Sequence, residues 1–255
     1  MKYDGIIFDW AGTTVDYGSI SPVKAFDEAF KAFGIAPTME EIRKPMGMLK
    51  IDHVRTMLSM PRIHDLWKKE HGTDWTEDDV HKVYELSEKK IFEVLDKYTD
   101  VKPYVVETVK ALRDMGLKIG STTGYTSDMM AIVTKAAAAQ GYTPDSWFSP
   151  DLVGGKGRPY PYMVFANMEK LGLGDVRRVL KVGDTVSDIK EGQHAGLDTV
   201  GIIEGSSLAG LSKEEYDALT PAQQEEVNAK TAAAYKEIGT TYIVKDIRGL
   251  LDIVK

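Results

Sequence analysis

The chain has 255 residues, of which 43% are hydrophobic and 28% charged, as in a globular protein that holds one large domain or a medium core with an insertion. The formal net charge of -7 gives no basic surface for a phosphate backbone, so we expect no nucleic-acid partner. The absence of cysteine excludes disulfides, thiolate metal sites and a cysteine nucleophile. We find neither a signal-peptide pattern nor an apolar run near the ~18 residues of a membrane span, so we expect no membrane partner and, by elimination, a cytoplasmic location.

The N-terminal part of the chain predicts one strand followed by a block of helices. Residues Asp4 to Trp10 form an apolar run that indicates a short buried strand. Three helix-start signals follow, and no further strand pattern appears before residue 99. These signals are Ser21-Pro22 as N-cap and first helical residue, the capping box of Thr38 with Glu41, and Thr76 at the start of a long helix. The stretch 19–99 is therefore predicted to be all helical.

The remainder of the chain alternates between strand and helix patterns. Strands are predicted at 117–122, 178–183 and 199–203 with a short segment at Trp147-Phe148, and helices at 103–115, from about 126 to 140, at 161–171 and at 186–195. This alternation favours an α/β fold with a parallel sheet flanked by helices. The first strand must join that sheet to satisfy its backbone groups, which leaves residues 19–99 as an inserted cap and residues 1–18 and 100–255 as the core.

Three segments complete the prediction. Residues 206–238 read as a charged, alanine-rich helical stretch to which we assign packing rather than chemistry. Residues 241–244 are predicted as an edge strand, and residues 247–254 as a closing helix.

Polar residues stand where the predicted strands end, and in an open α/β sheet this edge binds the ligand. They are Asp9, Thr123-Gly124, Lys156 and Arg158 in a loop, Asp184, and Asp188 four residues later. Taken singly, Thr123 is more simply a helix cap, Asp184 a turn residue and Arg158 a solvated side chain. Together they deliver a nucleophile, a hydroxyl, a guanidinium and carboxylates to one crevice, which favours phosphoryl chemistry.

The run Phe8-Asp9-Trp10-Ala11-Gly12-Thr13 resembles the first motif of the haloacid dehalogenase superfamily, and the strand-end residues follow the order of its four motifs. The resemblance implies a Rossmann-like core and Asp9 as the nucleophile. Many relatives carry Lys-Pro where this chain has Arg158-Pro159, so we take Arg158 as the phosphoryl contact and Lys156 as the second candidate, because a guanidinium can bind bidentately.

A magnesium ion is expected because a carboxylate nucleophile and an anionic phosphonyl group repel each other unless a hard dication bridges them. By resemblance, the ligands would be the Asp9 carboxylate, the Ala11 carbonyl and the Asp184 carboxylate. Asp188 would bind the ion through water or orient the other ligands.

The cap carries the segment Lys44 to His53, and with Ala11 it resembles the phosphonoacetaldehyde hydrolase (phosphonatase) branch of the superfamily. Phosphatases of the superfamily usually have an aspartate two residues after the nucleophile to protonate the leaving group, and alanine cannot do this. A lone lysine is usually a solvated charge. Here helical spacing predicts that Met46, Lys50, His53 and Met57 share one stripe, which would desolvate the amine and lower its pKa as imine formation requires.

The resemblance then implies that Lys50 forms an imine with phosphonoacetaldehyde, Asp9 attacks phosphorus, and His53 transfers protons. It implies further substrate contacts from Met46, Gly47, Thr123, Gly124 and Tyr125, and a homodimer for which the first cap helix offers an apolar face. Two other functions stay open: a phosphomonoesterase or phosphomutase of the same superfamily, in which Lys50 only confers specificity, and a non-catalytic phosphate-binding module.

Overall fold

All 255 residues are described in a computed structural model, and its central feature is a parallel sheet of six strands. The strands are β1 (Gly5–Phe8), β2 (Lys118–Thr122), β3 (Ser146–Phe148), β4 (Val179–Gly183), β5 (Asp198–Ile202) and β6 (Tyr242–Val244). Their order is β3-β2-β1-β4-β5-β6, and every neighbouring pair is parallel. The predicted α/β class and the Rossmann-like core with a parallel sheet are therefore confirmed.

Helices cover both faces of this sheet because its strands are apolar on both sides. In chain order the helices are α1 (Ile20–Ala32), α2 (Met39–Arg43), α3 (Lys50–Leu58), α4 (Pro61–His71), α5 (Glu77–Val94), α6 (Val105–Asp114), α7 (Ser127–Ala139), α8 (Tyr162–Leu171), α9 (Val186–Ala195), α10 (Lys213–Asp217), α11 (Pro221–Glu237) and α12 (Leu250–Ile253). The helices that cover the sheet belong to the second part of the chain, after the cap helices α1 to α5. In β1, Ile6 and Phe8 face the large core cluster under α6 and α7, whereas Ile7 packs with residues of α8 and α9. The alternation of period two thus buries both faces.

The segment between β1 and β2 carries its own apolar cluster. Helices α1 to α5 fill it without any strand, and the buried residues Phe26, Phe30, Ile42 and Trp67 belong to a core separate from that of the sheet. The capping boxes at Thr38 with Glu41 and at Thr76 with Asp79 are both present. The exact limits of the cap, 19–99, stay a prediction.

The start of α1 differs from the prediction. The helix begins at Ile20, and Ser19 occupies the cap position with φ 52° and without a side-chain cap, so Ser21 is not the N-cap and Pro22 is not the first helical residue. The Asp16 carboxylate accepts the backbone N–H groups of Ile20 and Ser21 instead, both at 3.0 Å. An acidic side chain four residues upstream replaces the local cap because the chain turns sharply here as it leaves the core.

Two further predictions were wrong in detail. Residues 206–238 are not one helical stretch, since 206–212 are turns and loop before α10 and α11. The closing helix is a 3₁₀ turn at Ile247–Gly249 followed by α12. The predicted edge strand is confirmed as β6. None of the helices has the length and hydrophobicity that a membrane span requires.

Candidate active site

The carboxyl edge of the sheet and the cap together line a small cavity. Its lining combines predicted residues with others: Asp9, Ala11, Ser19, Pro22, Met46, Gly47, Lys50, Thr123, Gly124, Tyr125, Arg158 and Thr185. Asp9 follows β1, Thr123 follows β2 and Thr185 lies just beyond β4, while Met46, Gly47 and Lys50 come from the cap. The cavity therefore brings the predicted nucleophile and the predicted imine lysine to one space.

Asp9 is almost fully buried and paired with a guanidinium. Its Oδ1 accepts a hydrogen bond from the Arg158 side chain at 2.7 Å, and Oδ2 lies 3.4 Å from the Thr13 hydroxyl. Burial raises the pKa of this carboxyl and the charge of Asp188 raises it further, while Arg158 opposes both effects. Any further positive charge at Asp9 favours the ionised form that a nucleophile needs.

Three buried carboxylates cluster beside the cavity. One oxygen from each of Asp9, Asp184 and Asp188 lies within 4.8 Å of the others. Asp184 accepts from the Thr13 hydroxyl at 3.0 Å and from the Ser207 backbone N–H at 2.7 Å, and burial together with the charge of Asp9 raises its pKa well above the usual value. Carboxylate oxygens are the ligands of hard dications, so this cluster can hold a metal ion.

The carboxylate cluster and the backbone both fit a dication. The directly paired network contains three buried acids, Asp9, Asp188 and Glu191, against two buried bases, Arg158 and Lys181, and Asp184 lies beside it without an ion pair. A bound divalent cation would relieve the repulsion between Asp184 and Asp9. Gly12 has φ +86°, and a Cβ there would lie 2.1 Å from Asp184 Oδ2, so only glycine lets the loop approach this carboxylate.

Both carboxylate oxygens of Asp188 already contact hydrogen-bond or ion-pair partners within the protein. One oxygen accepts from the backbone N–H and hydroxyl of Thr185, at 3.2 and 2.6 Å, and the other pairs with Arg158 at 2.9 Å and Lys181 at 3.1 Å. Burial favours the neutral form of this carboxyl, but these two cations outweigh it and the pKa is lowered. These contacts favour an orienting role over direct ligation.

Lys50 is the first residue of α3 and is 4% exposed. Its Nζ lies 4.9 Å from the ring centre of Tyr125 and 5.8 Å from that of Phe26. Burial lowers the pKa of this amine to about 8; Asp9 opposes the shift, and the charge of Arg158 adds to it. Part of the amine is therefore neutral near physiological pH.

The predicted helical stripe through Met46 is wrong. Met46 and Gly47 lie in a turn before α3, where Gly47 has φ +84°, so Met46 reaches the cavity from the turn rather than from the helix. Lys50 is consequently faced by aromatic rings, and its pKa is lowered by burial and by the charge of Arg158.

His53 is fully buried behind Lys50 and does not line the cavity. Its ring stacks on Phe26 with centroids 3.9 Å apart, and neither ring nitrogen has a hydrogen-bond partner. Burial and the nearby charge of Lys50 hold its pKa well below the usual value, so the imidazole is neutral. Its role in proton transfer stays a prediction.

The two basic candidates of the loop are separated by the structure. Arg158 is buried and lines the cavity, whereas Lys156 is exposed with its Nζ 5.3 Å from the Tyr162 ring. Of the two, only Arg158 is therefore in contact with the site.

Several site residues were missed from the sequence. They are Thr13, Thr122, Lys102, Lys181, Glu191 and Ser207. Lys181 is a lysine inside the apolar run of β4, and Glu191 follows Asp188 by three residues on one helix face, so both carried a detectable signal. Ser207 carried none, because it acts through its backbone, and its contact with Asp184 corrects the purely structural assignment of 206–238.

These features together define a class of protein: a parallel sheet, an aspartate at the position of a nucleophile, a carboxylate cluster at the carboxyl edge of the sheet, and a helical cap. The model of the haloacid dehalogenase-like hydrolases matches residues 3–196, and a HAD-hydrolase-like model matches residues 155–250. The protein is accordingly a hydrolase of this class.

Comparison with named relatives identifies the family within this class. The chain is 51% identical over 250 residues to phosphonoacetaldehyde hydrolase of Lysinibacillus sphaericus, covering 98% of this chain and 93% of the relative. It is 46% identical to the enzyme of that name from Bacillus cereus, covering 100% and 96%. A solved structure described as a phosphonoacetaldehyde hydrolase like protein, from Oleispira antarctica, superposes with a TM-score of 0.96 at 35% identity, covering 100% of this chain and 92% of that one. The chain belongs to the phosphonoacetaldehyde hydrolase family.

Proposed function

We propose that this protein hydrolyses the carbon-phosphorus bond of phosphonoacetaldehyde, giving acetaldehyde and orthophosphate. Family membership supports the reaction, and one structural observation supports its chemistry: Lys50 of the cap and Asp9 of the core line the same cavity. Position 11 is alanine, so no side chain there protonates a leaving group.

The reaction needs an electron acceptor because an ester-type cleavage would expel an unstabilised carbanion. In the proposed mechanism the neutral Lys50 amine adds to the aldehyde, and the adduct takes up one proton and loses water to form a protonated imine. The lowered pKa of Lys50 supports this step because only the neutral amine is nucleophilic.

Asp9 then attacks phosphorus, and the electrons of the carbon-phosphorus bond pass into the imine to leave a neutral enamine. Water hydrolyses the aspartyl phosphate to orthophosphate, while the enamine takes a proton on carbon and its imine is hydrolysed to acetaldehyde and free Lys50. Arg158 beside Asp9 is positioned to bind a phosphoryl oxygen.

We propose Mg²⁺ as the cofactor, held by Asp9, Asp184 and the Ala11 carbonyl, with Asp188 orienting the site. When bound, it would neutralise the charge between the carboxylate and the phosphonyl group. The cluster of three buried carboxylates supports this assignment.

Product analysis tests the function. The protein incubated with Mg²⁺ and phosphonoacetaldehyde should release acetaldehyde and orthophosphate in equal amounts. Release of phosphate from phosphomonoesters, with none from phosphonoacetaldehyde, would establish the phosphomonoesterase alternative. Asp9→Asn should abolish turnover, whereas a non-catalytic phosphate-binding module would bind phosphate alike in both forms.

A further inference from the structure

We propose that Glu191, together with Lys181 and Thr122, is a positioning group that holds the Arg158 guanidinium in register with the phosphoryl site. The inference rests on the proposed function and assigns a role to the buried polar residues below the cavity. None of the three residues lines the cavity. They act through Arg158.

The guanidinium of Arg158 is bound on every side. Its Nε donates to Glu191 Oε2 at 2.9 Å, one terminal nitrogen pairs with Asp188 at 2.9 Å, and the other donates to Asp9 at 2.7 Å and to the Thr122 hydroxyl at 2.8 Å. A phosphoryl oxygen can therefore reach the group only at the nitrogen that faces Asp9. When this nitrogen exchanges its hydrogen bond to Asp9 for one to the substrate, the contacts with Glu191 and Asp188 keep the guanidinium plane in place.

Glu191 is itself fixed. It is fully buried on α9, and Oε2 also accepts from the Thr122 hydroxyl at 2.8 Å and lies 3.1 Å from Lys181 Nζ. Lys181 donates to the same hydroxyl at 2.8 Å from the centre of β4. Two strands and a helix thus meet at one carboxylate oxygen, which is the rigid support that a precisely placed cation needs.

Stability alone does not account for these buried polar residues. Buried ion pairs contribute little net stability, since desolvation offsets their attraction. The second oxygen of Glu191 has no hydrogen-bond partner, which adds a cost. A network that is this costly and lies directly under the phosphoryl contact is better explained by orientation of that contact.

The test separates the phosphoryl half of the site from the imine half. Glu191→Gln removes the charge with little change of volume, and Glu169→Gln on the exposed face of α8 is the matched control. Three quantities are measured: kcat/KM for phosphonoacetaldehyde, inhibition by inorganic phosphate, and the rate at which acetaldehyde with cyanoborohydride alkylates Lys50. Acetaldehyde has no phosphoryl group, so the last quantity does not depend on a phosphoryl contact with Arg158.

For Glu191→Gln we expect kcat/KM to fall on the order of 100-fold and phosphate inhibition to weaken, because an ångström of misplacement has this effect on a reacting group. Acetaldehyde trapping should equal that of the wild type. A value of kcat/KM within about twofold of wild type in a folded variant, or a parallel fall of turnover and trapping, would overturn the proposal.

Two further variants test the proposal if Glu191→Gln does not fold. Thr122→Val removes one hydroxyl and should show the same pattern at about tenfold. The double variant Lys181→Met/Glu191→Gln keeps the net charge and should lose turnover while retaining acetaldehyde trapping; wild-type turnover in it would also refute the proposal. If the wild type failed to cleave phosphonoacetaldehyde, the proposed function would fail, while the phosphate measurement would still test how Arg158 is held.

Discussion

The chemistry of single residues depends on how their surroundings set their charge. Lys50 is buried at the first position of a helix, and both features disfavour the ammonium form. Asp9 is buried as well, and the Arg158 guanidinium beside it opposes the rise of its pKa. The pair therefore places a partly neutral amine and a guanidinium-paired carboxyl group in one cavity.

Lys50→Arg keeps the positive charge but should lose carbon-phosphorus cleavage completely, because a guanidinium does not form the imine. Turnover of phosphonoacetaldehyde is the measurement, with inhibition constants for phosphate or a phosphonate as the control that the phosphoryl site is intact. Retained turnover in this variant would show that Lys50 is a specificity residue.

The pH dependence follows from the lowered pKa of Lys50, about 8. Below that value the amine is protonated, so trapping by an aldehyde and cyanoborohydride should rise about tenfold per pH unit and level off above it. The rate is followed by labelling of Lys50 across this range. A rate that kept rising toward the pKa of an ordinary lysine would contradict the lowered value.

At the scale of elements, the cap meets the core through closely packed backbone. A Cβ at Gly47, in the turn before α3, would lie 2.3 Å from the Thr185 hydroxyl, and one at Gly124, after β2, 2.7 Å from the Met48 carbonyl. These glycines let the turn that carries Met46 lie against two strand ends. The cavity depends on that approach.

Gly47→Ala should hold the cap away from the core and reduce kcat/KM for phosphonoacetaldehyde by at least about tenfold, since Lys50 must reach the substrate at Asp9. The matched control is Gly72→Ala, where φ is also positive at +76° but no atom lies within 4 Å. The control should lose about 1 kcal/mol of stability and keep its activity. Equal activities in the two variants would show that the contact at Gly47 is unimportant.

The elements show how far sequence reasoning reaches. Capping boxes at Thr38 and Thr76 and the strand-helix alternation identified most elements, because local signals determine them. The positive φ of Gly47 separated Met46 from its helix, and Asp16 capped α1 from outside, because both depend on tertiary contacts. Asp9, Arg158 and Asp184 were found because they stand next to predicted strand ends. The contact of the Ser207 backbone could not be found because it depends on tertiary structure.

The buried carboxylate cluster bears on the stability of the whole molecule. One oxygen from each of Asp9, Asp184 and Asp188 lies within 4.8 Å of the others, and burial of carboxylates this close together is unfavourable. Binding of a dication to the folded state alone would stabilise it by mass action.

Magnesium should accordingly raise the thermal midpoint of unfolding of the wild type, and the increase should be lost in Asp184→Asn. Asp128→Asn, at an exposed position, is the control. Differential scanning fluorimetry with a magnesium titration measures both. An equal increase in the wild type and Asp184→Asn would exclude this carboxylate as a ligand.

The homodimer stays a prediction at this scale, with the first cap helix as its suggested surface. Analytical ultracentrifugation of the purified protein measures it. A single monomeric species across the concentration range would contradict it.

The account depends most on a covalent bond between Lys50 and the substrate. The direct measurement is borohydride reduction in the presence of phosphonoacetaldehyde, followed by peptide mapping by mass spectrometry. We predict a loss of activity together with a reduced adduct on Lys50 and on no other lysine. A protein that remains active and unlabelled, or that is labelled at another lysine, would contradict the account.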